Sequence, residues 1–155
     1  MITGTVIIGM GNPQLTDDGV GSAVAHAVAE QVGALTVIEL HTGGIRLMEA
    51  MAGFRRAVVV DAMVTGAVPG TVVRFDANNF VTTKNSYSSH DTDFVTALTV
   101  GELLGVALPE QVSFWGIEVA ECALFSESLT PEVAAAVPRA VASIIAELQR
   151  DGGRL

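Results

Sequence analysis

The sequence predicts an α/β protein, with a mostly parallel central sheet covered by helices on both faces. Three observations lead there. Short apolar runs alternate with stretches whose apolar residues recur at helical spacing, the pattern of strands joined by crossover helices. Hydrophobic residues make up 50% of the chain, mostly Val and Ala with few aromatics, as buried parallel strands under Ala-rich helices require. Polar and glycine residues collect just after the apolar runs and at helix starts, which in an open α/β sheet is where ligands bind. With 155 residues, the chain reads as one domain over 1–155, large enough to bury a full core.

The elements follow in order. Residues 5–10 form an apolar run ending at Gly11, a strand. Val20, Ala23, Val24, Ala27, Val28 and Val32 then recur at helical spacing, with Thr16 as candidate cap and Gly33 as terminator. A second strand spans 35–40, and a short helix 45–51. The run Ala57-Val58-Val59-Val60-Asp61-Ala62 is the clearest buried strand. Another strand, 71–75, is entered by a turn at Pro69-Gly70. Residues 78–89 are polar and read as a loop. From about Asp91 a helix is expected to carry Phe94, Val95, Leu98, Leu103 and Leu104 inward, and 112–119 is the last strand. Thr130-Pro131-Glu132 opens a final helix with cap and first-turn proline in favoured places. Pro138 is expected to kink that helix or split off its first turn.

Composition excludes several functions. Eight basic residues against 17 acidic give a net charge of −9, which disfavours a nucleic-acid partner and serves solubility or a cationic partner. The lone Cys122 rules out an internal disulfide framework and CxxC metal spacing, and fits a reducing, cytoplasmic compartment. The N-terminus has the pattern of a strand rather than a signal peptide. No apolar stretch reaches about 20 unbroken residues, so no membrane span is expected.

The chemistry-bearing residues lie at the junctions. Gly9-Met10-Gly11-Asn12-Pro13 leaves the first strand. The dinucleotide fingerprint would need a third glycine where Gln14 stands and an acidic residue after the second strand, so a tight turn explains the two glycines. Asp17 and Asp18 sit at a helix start. For Asp17 the expected role is to complement the helix dipole, worth a few tenths of a kcal/mol. Asp61 follows four apolar residues on a central strand, where a carboxylate needs a partner or a metal. His41-Thr42-Gly43-Gly44 leaves the second strand, His41 being either ligand-facing or a hydrogen-bonding strand end. His90 precedes a helix, and His26 has no assigned role. Asp18, Asp61 and His90 together offer two carboxylates and an imidazole, a set that suits Ni²⁺ or Zn²⁺ with open coordination positions.

Those motifs, in that order, resemble the hydrogenase maturation endopeptidases. The matching segments are Gly9-Met10-Gly11-Asn12 with Thr16-Asp17-Asp18-Gly19-Val20-Gly21, then His41-Thr42-Gly43-Gly44, Val59-Val60-Asp61-Ala62, Ser89-His90, Gly116-Ile117-Glu118 and Leu129-Thr130-Pro131-Glu132. The resemblance covers nearly the whole chain. It implies a three-layer α/β/α sandwich of phosphorylase/hydrolase-like type. It also implies an endopeptidase that removes a C-terminal extension from the nickel-loaded large subunit of a nickel-iron hydrogenase. Asp18, Asp61 and His90 would engage the nickel and carry catalysis; His41, Thr42, Gly43 and Gly44 would contact substrate. Asp18 stands where relatives commonly have Glu, and His41 where they often have Asp.

Hydrolysis would be metal-assisted or aspartic-type. The nickel arrives with the substrate, so the protein needs no tightly bound cofactor of its own. The expected partner is the immature large subunit, met by a protein that is monomeric when free. Two other readings remain. A non-proteolytic nickel-binding chaperone would use the same ligands. A peptidyl-tRNA hydrolase-like enzyme would share the Gly-x-Gly-Asn-Pro turn, but its substrate sits poorly with the acidic charge.

Overall fold

The computed structural model describes residues 4–76 and 94–151. The expected loop at 78–89 and His90 lie outside the described residues. Five strands form one sheet in the order β2-β1-β3-β5-β4. They are β1 (Thr5–Met10), β2 (Thr36–Leu40), β3 (Arg56–Met63), β4 (Val72–Asp76) and β5 (Gln111–Glu118). β1 pairs in parallel with β2 and β3, and β3 with β5. β4 runs antiparallel to β5 at the edge, with Phe75 opposite Phe114 and their rings stacked. An antiparallel edge on a parallel sheet is a common mixed arrangement.

Period-2 alternation splits the buried strands between two cores. Val58, Val60, Trp115 and Ile117 face the helices α1 (Val20–Val32) and α4 (Pro131–Arg150). Ala57, Val59, Met63 and Phe114 point the other way, toward α2 (Ile45–Met51) and α3 (Phe94–Leu103). β3 is buried along its whole length, as a central strand covered on both sides must be. Among the described residues no helix is long and apolar enough to cross a membrane.

Three expectations about helices need correction. Thr16 does not cap α1. It opens a short 3-10 turn, Thr16–Gly19, and its hydroxyl donates to Leu124 O at 2.6 Å. Gly33 does end α1, at φ 85° with its N–H on Ala29 O. In α3, Val95, Leu103 and Leu104 are exposed, at 51%, 83% and 74%; Ala97 and Gly101 face inward instead, with Leu98 half-buried. The helix is apolar nearly all round, so periodicity alone carries no phase. Small residues decide it, because a Cβ on Gly101 would already lie 3.1 Å from Met48 Sδ on α2. Finally, Pro138 does not split off the first turn, since α4 is one helix from Pro131 to Arg150. Pro138 and Ala134, whose carbonyl loses its helical donor, are both exposed, so water can serve that carbonyl. Thr130 precedes Pro131 as expected but makes no capping bond.

Candidate active site at the carboxyl edge of the sheet

The glycines of the first motif bring α1 onto the strand ends. A Cβ on Gly21 would collide with the carbonyl oxygens of Val60 and Met10, the latter at 2.6 Å, and one on Gly9 would lie 2.7 Å from Ser22 Cα. The start of α1 therefore rests directly on the carboxyl ends of β1 and β3. Close approach, rather than dinucleotide binding, is what these glycines serve.

That approach brings the 3-10 turn to the same edge. Asp18 is 2% exposed. Its Oδ2 accepts the Asn12 N–H at 2.9 Å, and its own N–H donates to Leu15 O at 3.0 Å. The Gly-Asn turn and the Asp-Asp segment are thus one unit. Asp61 is 1% exposed and lies opposite Gly116 of β5. Its Oδ1 accepts the Ala62 N–H at 2.7 Å. Alternation places it with Val59 and Met63, on the face covered by α2 and α3.

His41 is an exposed strand end with a definite contact. Its Nδ1–H donates to Gly11 O at 2.9 Å, while the Gly11 N–H donates to Leu40 O at 2.8 Å. This pair ties the loops after β1 and β2 together and fixes the ring's tautomer. Thr42 is exposed, and Gly43 and Gly44 are buried. Gly44, at φ 61° and ψ −129°, turns the chain into α2. Of the predicted trio, Asp18 and Asp61 are each buried near the carboxyl ends of the strands, and His90 lies outside the described residues. Among the described residues no group of three His, Cys, Asp or Glu side chains could hold a metal ion.

Two further carboxylates shape this edge. Asp17 is fully buried. Its Oδ2 accepts N–H bonds from Ala120 at 3.0 Å and Glu121 at 2.9 Å, and its Oδ1 accepts the Thr130 N–H at 2.7 Å. The Thr130 hydroxyl donates to it as well. The dipole role expected for Asp17 is therefore too small: it clamps the loop between β5 and α4, and it takes the hydroxyl expected to cap α4. Glu118, 2% exposed, accepts from Thr65 N–H, Thr65 Oγ1–H and Ala67 N–H. It clamps the loop that follows Asp61. Sequence reading placed Glu118 only within a strand motif; its position at the end of a buried strand was the available signal.

The charges of Asp17 and Glu118 are thus met by donors of the loops they clamp. The opposite edge differs. A cavity of about 480 Å³ opens there beside Arg56, Arg74, Glu147 and Asp151. Its charges are mutually paired: Arg74 Nε donates to Glu147 at 2.8 Å, Arg56 to Asp151 at 2.8 Å, and Trp115 Nε1 to Glu147 at 2.9 Å. It lies at the amino ends of the strands, away from Asp61, and reads as a structural ion network.

Known proteins share this fold. The endopeptidase HybD from E. coli superposes with a TM-score of 0.76, at 23% identity over 98% of this chain and 94% of that one, a likeness of fold. The [NiFe] hydrogenase maturation protease HybD from Thermococcus kodakarensis gives a TM-score of 0.66 at 28% identity, over 96% and 99%. The hydrogenase expression/formation protein HupD of Rhizobium leguminosarum bv. viciae is 26% identical over 95% of this chain and 75% of its own length. The profile of the HycI hydrogenase maturation protease family matches residues 7–147. The chain therefore belongs to the hydrogenase maturation protease family, endopeptidases that process the hydrogenase large subunit.

Proposed function

We propose that this endopeptidase removes a C-terminal extension from the large subunit of a nickel-iron hydrogenase once nickel has been inserted. The observation that carries this reading is the pair Asp18 and Asp61, both almost fully buried at one sheet edge, in a chain of this family. Nickel is part of the substrate in this reading. Asp18, Asp61 and His90 recognise it, and the protein keeps no tightly bound cofactor of its own.

Asp61 acts as general base. It takes a proton from water as the water oxygen bonds to the scissile carbonyl carbon; the C–N bond then breaks and the proton passes to the leaving amine. His41 and the Thr42-Gly43-Gly44 backbone contact the substrate strand. The enzyme acts in the cytoplasm and is monomeric when free.

The test is gel mobility of nickel-loaded precursor over time, with circular dichroism as a folding control. Asp61→Asn keeps the Oδ1 acceptor for Ala62 but removes the charge. It and His90→Ala are expected to lower cleavage by orders of magnitude while staying folded. Folded variants that cut at the wild-type rate would refute the assignment. Stoichiometric nickel-precursor binding without any cleavage by the wild type would favour the chaperone reading.

A further inference from the structure

We infer that the loop between β5 and α4 is a rigid docking finger. Its Leu124 and Phe125 enter an apolar pocket rimmed by basic groups on the folded surface of the immature large subunit. The inference rests on the endopeptidase reading above.

Leu124 and Phe125 are 67% and 86% exposed, yet the backbone that carries them is tightly held. The Thr16 hydroxyl donates to Leu124 O at 2.6 Å, Thr16 N–H to Ser126 O at 2.9 Å, and Ser126 N–H to Gln14 O at 2.9 Å. Leu124 N–H donates to Glu121 Oε1 at 3.1 Å, and Asp17 clamps both ends of the loop. Thr16 is the one non-glycine residue with positive φ among the described residues, at 51°. A β-branched residue adopts that conformation only when its surroundings impose it. The fold thus places a buried carboxylate and a strained threonine behind two apolar side chains held out in water. Such preorganised display lowers the ordering cost of binding, and exposed aromatic side chains such as Phe125 are enriched at interfaces over the rest of the surface.

Position and charge identify the occupant. The finger is bonded to Gln14, Thr16 and Asp17, immediately before Asp18, so a protein seated on it is presented to the site. Val64 and Val68 on the loop after β3, the strand beside β5, are also exposed, at 68% and 76%. Glu121 and Glu127 flank the tip, and residues 85–138 contain no Lys or Arg. A basic rim on the partner complements this. A second copy of a chain with net charge −9 does not.

The test measures binding of nickel-loaded precursor to the otherwise wild-type protein, with and without Leu124→Ser/Phe125→Ser, at two salt concentrations and on a time scale shorter than cleavage. Melting curves check that the exposed substitutions leave the fold intact. The expected result is a rise in Kd of about 30-fold, typical of two interface anchors, and weaker binding at high salt. In the otherwise wild-type enzyme the same pair should raise KM with little change in kcat. Unchanged Kd, a loss confined to kcat, salt-insensitive binding, or finger-dependent self-association in sedimentation would each overturn the proposal. A wild type that binds without cutting would remove the endopeptidase reading while the Kd comparison still decides the finger. A wild type that neither binds nor cuts would overturn both.

Discussion

Replacing Asp17 separates two physical accounts of one residue by size. As a dipole complement it would contribute a few tenths of a kcal/mol. In the structure its carboxylate accepts three backbone N–H bonds and a hydroxyl from residues more than 100 positions away. Asp17→Ala leaves three backbone donors and the Thr130 hydroxyl without their acceptor, each backbone donor worth about 1–3 kcal/mol if it stays unsatisfied. Ala120 is exposed and can recruit water, so the total falls at roughly 3–5 kcal/mol, within the range for breaking a buried charged contact. For a chain of this length that lowers the melting temperature by roughly 6–20 °C. Asp17→Asn keeps one oxygen but turns an NH₂ toward the other donors, so about half the loss is expected. Urea titration followed by circular dichroism measures the loss, and amide exchange should accelerate at Ala120, Glu121 and Thr130. A loss below about 1 kcal/mol for Asp17→Ala would refute the clamp and restore the dipole account.

Further outcomes follow from other contacts. Gly21→Ala drives a Cβ into backbone atoms of two central strands, so a loss of about 3 kcal/mol or more is expected; Gly53→Ala, at φ 84° with nothing within 4 Å, should cost only about 1–2 kcal/mol of backbone strain, and equal melting shifts for the two would refute the packing argument. The Ser22 hydroxyl and then the His26 ring hold Glu39 below the ordinary carboxylate range. A depressed folded pKa contributes stability above the unfolded value, about 4.3, and that contribution is lost as pH falls through the folded pKa. The stability deficit of Glu39→Gln should therefore shrink between pH 7 and pH 3, and a deficit that stays constant in urea titrations would contradict this. A chelator should leave the melting temperature unchanged, because structural metal sites are typically closed four-ligand sites; a large fall would place a structural metal in the free protein.

Local features were readable along the chain. The apolar runs marked all five strands to within a residue, because burial on both faces leaves a continuous apolar signature. The burial of Asp61 was legible for a related reason: it stands within the apolar run of β3 and is carried into the core with it. Gly33, Pro131 and the turn at Gly70 were legible from backbone preference alone.

Long-range partners were not readable in this way. Asp17, Thr16 and Thr130 each carried a plausible local role, but their real partners come from the other end of the chain, and a hydroxyl or carboxylate gives no sign in sequence of a distant partner. Glu118 and Glu147 are buried charges whose partners likewise arrive only with the fold. The inward face of α3 was set by how closely Gly101 lets it approach Met48, a contact between helices rather than a pattern within one. Local periodicity and backbone preference are written along the chain; the choice of long-range partner is made only when the packed strands bring those groups within hydrogen-bond reach.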